Sequence, residues 1–599
     1  MTLNVTEIMV FNFWALKVLK QHHHFLRAKI NTSNFFLVGG CLRDLILWLT
    51  SSPEDIDFTM SWNPLKLYEQ INKEHLSHFI TEKFWTITLI PQNQTSGNLK
   101  YELTPLRAET WYCDFRHPEE IFWSDDILLD YKRRDFSINA MYYTTCNLKT
   151  PQYKENKIIW EDEILSILNK EGFIYLENYE TLIIQDEKLL SQCFPHAKTD
   201  LDFIYYLLDI QTYGYSLWEQ KWDEKNTHTD LHIIIDPAHG LHDVYNKRIQ
   251  TVWDPDTRFQ EDALRLLRAL RFVNVINEKL QKQDKDKPSN PTNKMKLFDF
   301  ETETRKSVKR NHDLLKNIAK ERIREELVKA FKEWNPFALV WLIDEAEMLS
   351  FIFPSLALTK HVDQPIRYHP FDVYTHILLT LYHLQQINDN YLVRFAMLYH
   401  DVWKVWQYAE YEKNLSREEI RKILSWPLNH RYSSAILAKE DFSNLNFSNK
   451  EIEEIERYIK EHHTPWEILQ ANPIHREKKL RKLLSENGFD RVNNLLDINI
   501  ADRLWMYNPL QNASDLSDSR YLKDLLVQIN EKEGQFTAKD LAVDGKDIME
   551  HFHLTPWKMV WELLQVALDW VLGDIENRNT KKQIYLNLAN HLKNRESEL

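Results

Sequence analysis

The chain runs to 599 residues, too long for one ordinary core, so three or four domains are expected. It is 43% hydrophobic and 27% charged, as in a soluble globular protein, and no run approaches the roughly 18 uncharged apolar residues a membrane helix needs. A net charge of −14 argues against a protein coated in nucleic acid, although a local basic face can still bind phosphates. The cysteines (Cys41, Cys113, Cys146, Cys193) have neither zinc spacing nor the density of a disulfide scaffold, and the N-terminus lacks the ordered parts of a secretion signal. The cytoplasm is the expected compartment.

Residues 7–29 pattern as an amphipathic helix, with His22–His24 read as solvated rather than metal-binding. Residues 35–38 (FFLV) form a short buried strand, followed by Gly39-Gly40 and a helical CLRDLILWL. A second strand, DIDFTM, begins at Asp55, and TITLI (86–90) and YELTPL (101–106) complete an α/β opening domain. Residues 142–230 are polar and mixed, with no chemical motif. From Glu261 helical periodicity dominates, interrupted by an expected flexible loop at 277–296. A further helical block begins near His369 and runs past Asp502, and a helix-rich tail fills 506–599. The segment 305–329 holds nine Lys/Arg against four Asp/Glu at helical spacing, which suits a solvated face as well as an RNA-contacting one.

Strand, Gly-Gly and helix is a way to hold a triphosphate, because backbone N–H groups in the turn face the anion and small residues let it approach. Two glycines alone are a weak signal. Asp55 and Asp57, two apart on a strand, project from one face, where like charges repel unless a cation lies between them. Mg²⁺ is the natural partner, activating an attacking 3′-hydroxyl and steadying leaving pyrophosphate.

The series VGGCLRD (38–44), EDIDF (54–58), YELTPLR (101–107), RRDFSINAM (133–141), DPAHGLHD (236–243), EDALRLLRALRF (261–272) and ERIREELVKAF (321–331) resembles the class II nucleotidyltransferases that add CCA to tRNA or poly(A) to RNA. The resemblance implies an α+β protein: a polymerase-β-like nucleotidyltransferase head (1–141), an insertion of unknown role (142–230), a helical neck and body (231–365), an HD domain (366–505) and a helical tail (506–599). It implies Asp55 and Asp57 as Mg²⁺ ligands, with Glu102 completing the carboxylates. Gly39, Gly40 and Arg43 would contact triphosphate, and Arg134, Asp135 and Asn139 the ribose and phosphates. Asp262 and Arg265 would select the base, with Arg268 and Arg271 continuing a basic row. Cytosine and adenine both offer an amino donor beside a ring-nitrogen acceptor, which a carboxylate and a guanidinium can read together. The family's RRD motif is soon followed by its DPxGG-like segment. Here about 90 residues intervene, for which an inert role is the expectation.

HPFDVYTH (369–376), YHDVWK (399–404) and ADRLW (501–505) resemble an HD domain, which implies His376, His400, Asp401 and Asp502 as ligands of a divalent metal of unknown identity. His430 and His463 sit where such domains sometimes add another ligand. The expected activity is addition of CCA from CTP and ATP to a tRNA 3′ end, with no membrane and no protein partner implied. Poly(A) polymerase, or addition of CC or A alone, is the alternative within the class. Outside it stand an HD phosphohydrolase with a vestigial polymerase half and a non-catalytic RNA-binding protein.

Glycine usually makes up about 7% of a chain; here there are 10, against 20 tryptophans. Trp48, Trp85, Trp111, Trp403, Trp505, Trp557 and Trp561 fall at or beside positions where the resembled motifs carry glycine. The pattern suggests UGA codons read as glycine in the source but translated here as tryptophan; genuine aromatic enrichment is the alternative.

Overall fold

The structure is a computed structural model that describes residues 13–29, 35–50, 53–60, 76–81, 85–92, 99–109, 121–124, 126–148, 173–176, 181–185, 229–285, 296–333, 335–364, 371–405, 428–505, 516–554 and 558–598, with residues 68, 71 and 187 besides. It divides into two compact units, Met1–Ala319 and Lys320–Leu599.

The first unit is built on a nine-stranded mixed sheet, ordered β3-β4-β5-β2-β1-β8-β11-β10-β9. Its strands are β1 (Phe35–Val38), β2 (Asp55–Met60), β3 (Leu76–Thr81), β4 (Thr86–Pro91), β5 (Lys100–Pro105), β8 (Tyr142–Leu148), β9 (Phe173–Leu176), β10 (Thr181–Ile184) and β11 (Thr229–Ile235); β6 (Arg107–Glu109) and β7 (Ile121–Trp123) pair separately. β1 runs antiparallel to β2 and β8, whereas β2 and β5 are parallel, with Asp57 opposite Glu102 and Asp55 opposite Lys100. The sheet therefore takes strands from the segment 142–230: β8 and β11 pair over their full length, and β10 and β9 extend that side. Their apolar runs, such as Ile233–Ile235, are buried as core strands require.

Helix α1 (Phe13–Lys29) corrects the reading of the histidine run. His23 is fully buried, stacked on Phe35 at 4.4 Å between ring centres and hydrogen-bonded to the Thr144 and Thr145 hydroxyls. His22 Nδ1 lies 2.9 Å from the Tyr101 hydroxyl. The helix lays these rings on the sheet because their neighbours Leu19 and Leu26 share the buried face. Burial holds the His23 ring neutral, its pKa lowered to about 3.

The expected loop at 277–296 is also corrected in part, since the helix Leu264–Lys285 continues through its first residues. Leu280 is buried, and the Asn277 side chain exchanges hydrogen bonds with the backbone of Phe298, which anchors the helix where composition suggested a break. Residues 286–295 lie outside the described set. In the helix Thr302–Arg310, Arg305 pairs with Asp299, Lys306 with Glu303 and Arg310 with Asp256, so these basic groups are engaged within the unit.

The second unit is helical. Helices Lys320–Glu333, Val373–Ile387, Tyr391–Tyr399, Leu428–Asn444, Asn449–Glu461 and Phe489–Leu504 form one core, whose Phe331 and Phe395 rings stack at 3.9 Å. The tail helices pack around Ile548, Leu563, Val571, Ile584 and Leu588. Among the described residues no helix is long and apolar enough to cross a membrane.

Candidate active site and metal centre

The first site begins where β1 ends. Gly39 has φ 77°, and a Cβ placed on it would lie 3.3 Å from Asp57 Oδ2, so the turn passes against the carboxylate. Asp55 and Asp57 alternate on β2 with buried Ile56 between them. The parallel pairing with β5 sets Glu102 beside Asp57, so the three carboxylates predicted from sequence share one sheet region. Although Asp57 keeps accessible surface, the protein around its carboxyl group desolvates it and Glu102 adds repulsion, pushing its pKa up to about 6. Lys100, which the sequence did not single out, sits among them: Nζ is 3.0 Å from Asp55 Oδ1 and 3.5 Å from Glu102 Oε1.

A continuous polar chain leads away from the turn. Arg43 is buried and donates from Nε to Asp44 Oδ1 (2.7 Å) and from Nη1 to Asn139 Oδ1 (2.7 Å). Asn139 donates to Asp135 Oδ1 (3.3 Å), and Asp135 Oδ2 accepts from Arg268 at 2.6 and 3.1 Å. Lys279 closes the other end on Asp44 at 2.6 Å. Four predicted nucleotide contacts, Arg43, Asn139, Asp135 and Arg268, are thus joined, and the helix Leu264–Lys285 is tied to the head at Asp135 and Asp44.

Arg134 and the base-selecting pair are held differently. Arg134 bonds to Asp130 (2.9 and 3.1 Å) and to the Tyr142 hydroxyl (2.9 Å), and the fully buried Asp130 also takes Arg133. Burial alone would raise the Asp130 pKa, but these two guanidinium groups hold it well below the usual range. Arg265 donates to Glu261 Oε2 (2.6 Å) and to the carbonyls of Arg258 and Arg133, while Asp262 Oδ1 accepts from Leu264 N–H at the helix start. Arg271 lies over the Phe272 ring at 4.7 Å. Asp130 and Glu261 are the positioning carboxylates that sequence reasoning missed. Each stands three or four residues from its arginines, a helical spacing that was there to be read.

The second site lies in the helical unit, where helix ends converge. His376 comes from the first turn of Val373–Ile387, His400 and Asp401 follow Tyr391–Tyr399, His430 opens Leu428–Asn444, and Asp502 closes Phe489–Leu504. His376 Nε2 is 3.1 Å from Asp502 Oδ1 and 3.6 Å from Asp401 Oδ2, and His400 Nε2 is 3.3 Å from Asp401 Oδ2. The other oxygen of Asp401 faces His430 Nε2 at 3.5 Å. The four predicted ligands are brought together, and His430, His462 and His463 form a second cluster that could hold an ion. His462 was not anticipated, and its adjacency to His463 was the available signal.

These residues fit divalent metals. The Nε2 atoms of His400 and His430 face the Asp401 carboxylate, and that of His462 is buried without a hydrogen-bond partner, while the Nδ1 atoms of His400 and His462 bond to the carbonyls of Met397 and Ile459. That arrangement turns Nε2 inward and fixes the ring. Burial keeps His430, His462 and His463 neutral, each lowered to about 3. Burial opposes charge on Asp401 too, but Lys404 and His400 hold it ionised, well below its usual pKa.

Three family models match in chain order: the poly A polymerase head domain over 35–158, the probable RNA- and SrmB-binding site of polymerase A over 297–359, and the HD domain over 373–505. The chain thus carries, in this order, regions matching a polymerase head, an RNA-binding segment and an HD domain. Among curated proteins it resembles the CCA-adding enzyme of Lactobacillus helveticus, 26% identical over 49% of this chain and 45% of that one. It also resembles the CCA-adding enzyme of Staphylococcus epidermidis, 22% identical over 94% and 96%. The match therefore spans about half the length of the first of these relatives. Among solved structures, an apo CCA-adding enzyme shares the fold with a TM-score of 0.51 at 16% identity, over 93% of this chain and 92% of that one. The α+β expectation holds. A divalent metal is implied for both sites.

Proposed function

We propose that the protein adds CCA to the 3′ end of tRNA from CTP and ATP without a template. The observation that carries this reading is the carboxylate set Asp55, Asp57 and Glu102 beside the Gly39 turn, linked through Arg43, Asn139 and Asp135 to Arg268. The relatives named CCA-adding enzymes support the choice of product. Asp55 and Asp57, with Glu102, would hold Mg²⁺, which draws the 3′-hydroxyl proton toward departure and neutralises charge on the transferring phosphoryl group. The chain's own residues do the rest. Gly39 lets the triphosphate approach the carboxylates, Arg43 and Arg134 face its phosphates, and Asp135 and Asn139 position the ribose. Asp262 and Arg265 select cytosine and adenine over guanine and uracil, with Glu261 holding the guanidinium from one side. The cytoplasm is the proposed compartment.

The test is incubation with tRNA lacking CCA and single or paired nucleotides plus Mg²⁺. Addition of three nucleotides requiring CTP and ATP alone is expected; long tails from ATP alone would replace this reading with poly(A) polymerase. A second activity is proposed for the HD centre, hydrolysis of phosphoesters at RNA ends, because buried imidazoles and a carboxylate converge there in a group that could hold an ion. Phosphate release that survives Asp55→Ala and disappears in Asp401→Ala is the expected signature.

A further inference from the structure

We propose that Lys100 is a tethered counter-cation of the carboxylate centre, which a divalent ion must displace in order to bind. This rests on the reading of Asp55, Asp57 and Glu102 as a metal site. The parallel register sets Lys100 opposite Asp55 and, two residues along the same strand, beside Glu102. Its ammonium lies 3.0 Å from Asp55 Oδ1 and 3.5 Å from Glu102 Oε1. An ammonium has three donors and no lone pair, so it satisfies carboxylates but cannot share a metal's coordination shell. Ammonium and divalent ion therefore compete for the same oxygens. The lysine has somewhere to go: its side chain is 39% exposed on a flexible stem, and it can exchange carboxylate for water. The metal-free head is thereby spared the mutual repulsion of its acids, at the cost of weaker metal binding.

The test is Mn²⁺ titration by calorimetry of Lys100→Met and wild-type protein, without RNA or nucleotide, with heat persisting in an Asp55→Ala/Asp57→Ala control subtracted as HD binding. Tightening of the head site by about tenfold, with a lower melting temperature in chelator, is expected. Equal or weaker head-site binding in Lys100→Met overturns the proposal alone. Absence of head-site binding in both proteins overturns it together with the metal reading of the carboxylates.

A separate observation, the backbone itself, carries a second inference: we infer that glycine occupies positions 48 and 85 in the protein its own cell makes. Among the described residues, eight non-glycine positions have positive φ, and two are tryptophans, Trp48 at 63° and Trp85 at 54°. A Cβ makes this region costly. The geometry at 48 is that of a helix stop built for glycine. Trp48 follows α2 (Gly40–Ile46) and the cap residue Leu47, its N–H bonds to Leu45 O (3.1 Å), and Leu49 N–H reaches back to Asp44 O (2.8 Å). This pair of bonds encloses a left-handed residue that is usually glycine. Trp85 enters β4 from the connection after β3, again where a left-handed residue turns the chain. Trp48 is 49% exposed. Trp403 and Trp505, by contrast, have no positive φ, so the backbone does not demand glycine there. Trp111 and Trp557 lie outside the described residues.

Peptide mass spectrometry of the protein isolated from its source organism, read beside the gene, decides the matter. Peptides spanning 48 and 85 are expected to carry glycine encoded by UGA. Tryptophan at either position, encoded by UGG, overturns the inference.

Discussion

Asp135 and Arg268 form a two-point ion pair, with Asp135 Oδ2 accepting from Nη2 at 2.6 Å and from Nε at 3.1 Å, and the pair joins the RRD motif to the long helix Leu264–Lys285. Burial would raise the Asp135 pKa, but Arg268 and Asn139 bring it down to about 2, so it is ionised at neutral pH. Removing Arg268 leaves the largely buried Asp135 carboxylate without that partner, while removing the Asp135 charge leaves a half-buried guanidinium. Asp135→Asn and Arg268→Ala are each expected to cost about 1–3 kcal/mol, and the double variant less than their sum. Denaturant melts of the four proteins measure the coupling; strict additivity would remove the pair as a link. Nucleotide KM should rise in both variants, because Asp135 also anchors Asn139 and, through it, Arg43.

Metal removal should act on the helical unit. With Asp401 facing His376 and His400 from one oxygen and His430 from the other, a bound ion neutralises acids and fills inward-pointing imidazoles. Chelation is expected to lower the melting temperature by about 5–10 °C, and elemental analysis of gently purified protein should find metal. His462→Ala should reduce the number of bound ions while His376, His400 and Asp502 keep theirs. An unchanged ion count in that variant would show that the second histidine cluster holds none.

Acid should loosen the same unit at a different point. Glu451 accepts from Arg324 (2.9 Å to both oxygens), from the Tyr391 hydroxyl (3.0 Å) and from Ser448 at the start of its own helix. Desolvation works against ionisation here, yet these bonds prevail and lower its pKa to about 2, from an ordinary 4.5. Because the folded pKa is depressed, the stabilisation is present in full above about pH 4.5 and is lost as pH falls toward 2. Glu451→Gln should cost about 1–2 kcal/mol at pH 7, after allowance for solvent screening, and flatten the stability curve in that window. Parallel curves for the two proteins between pH 5 and pH 2.5 would refute the assignment.

What could be read from the sequence was local. Asp55 and Asp57 share a face because strand side chains alternate, and that needs no partner strand. The candidate HD ligands are legible from their order, since His-Asp at 400–401 is flanked by His376 and Asp502. Lys100 could not be found in this way, because its approach to Asp55 depends on a parallel register between segments 45 residues apart. The joining of β11 to β8 was hidden by the long intervening segment, although LHIII at 231–235 is an apolar run of the right length for a buried strand. His23 was misread because composition shows a polar run, whereas burial follows from which helix face meets the sheet. The bond from Arg265 to Glu261 follows from their i,i+4 spacing, which motif order alone does not single out.

The backbone at Trp48 makes a prediction about the literal sequence. Replacement by glycine removes the left-handed penalty at a residue that is already half exposed. Trp48→Gly should therefore stabilise the first unit by about 1 kcal/mol. Trp85→Gly relieves the same strain but gives up a stack on Trp123, with ring centres 4.6 Å apart. That contact is worth about 0.5–1.5 kcal/mol, so the second substitution should be nearly neutral alone and favourable in a Trp123→Ala background. The helix ending at 48 also carries Arg43 and Asp44, so the effect should reach the site: Trp48→Gly is expected to lower nucleotide KM as well as raise the melting temperature. A destabilised Trp48→Gly protein would mean that the indole packs usefully where it stands, and that tryptophan belongs at that position.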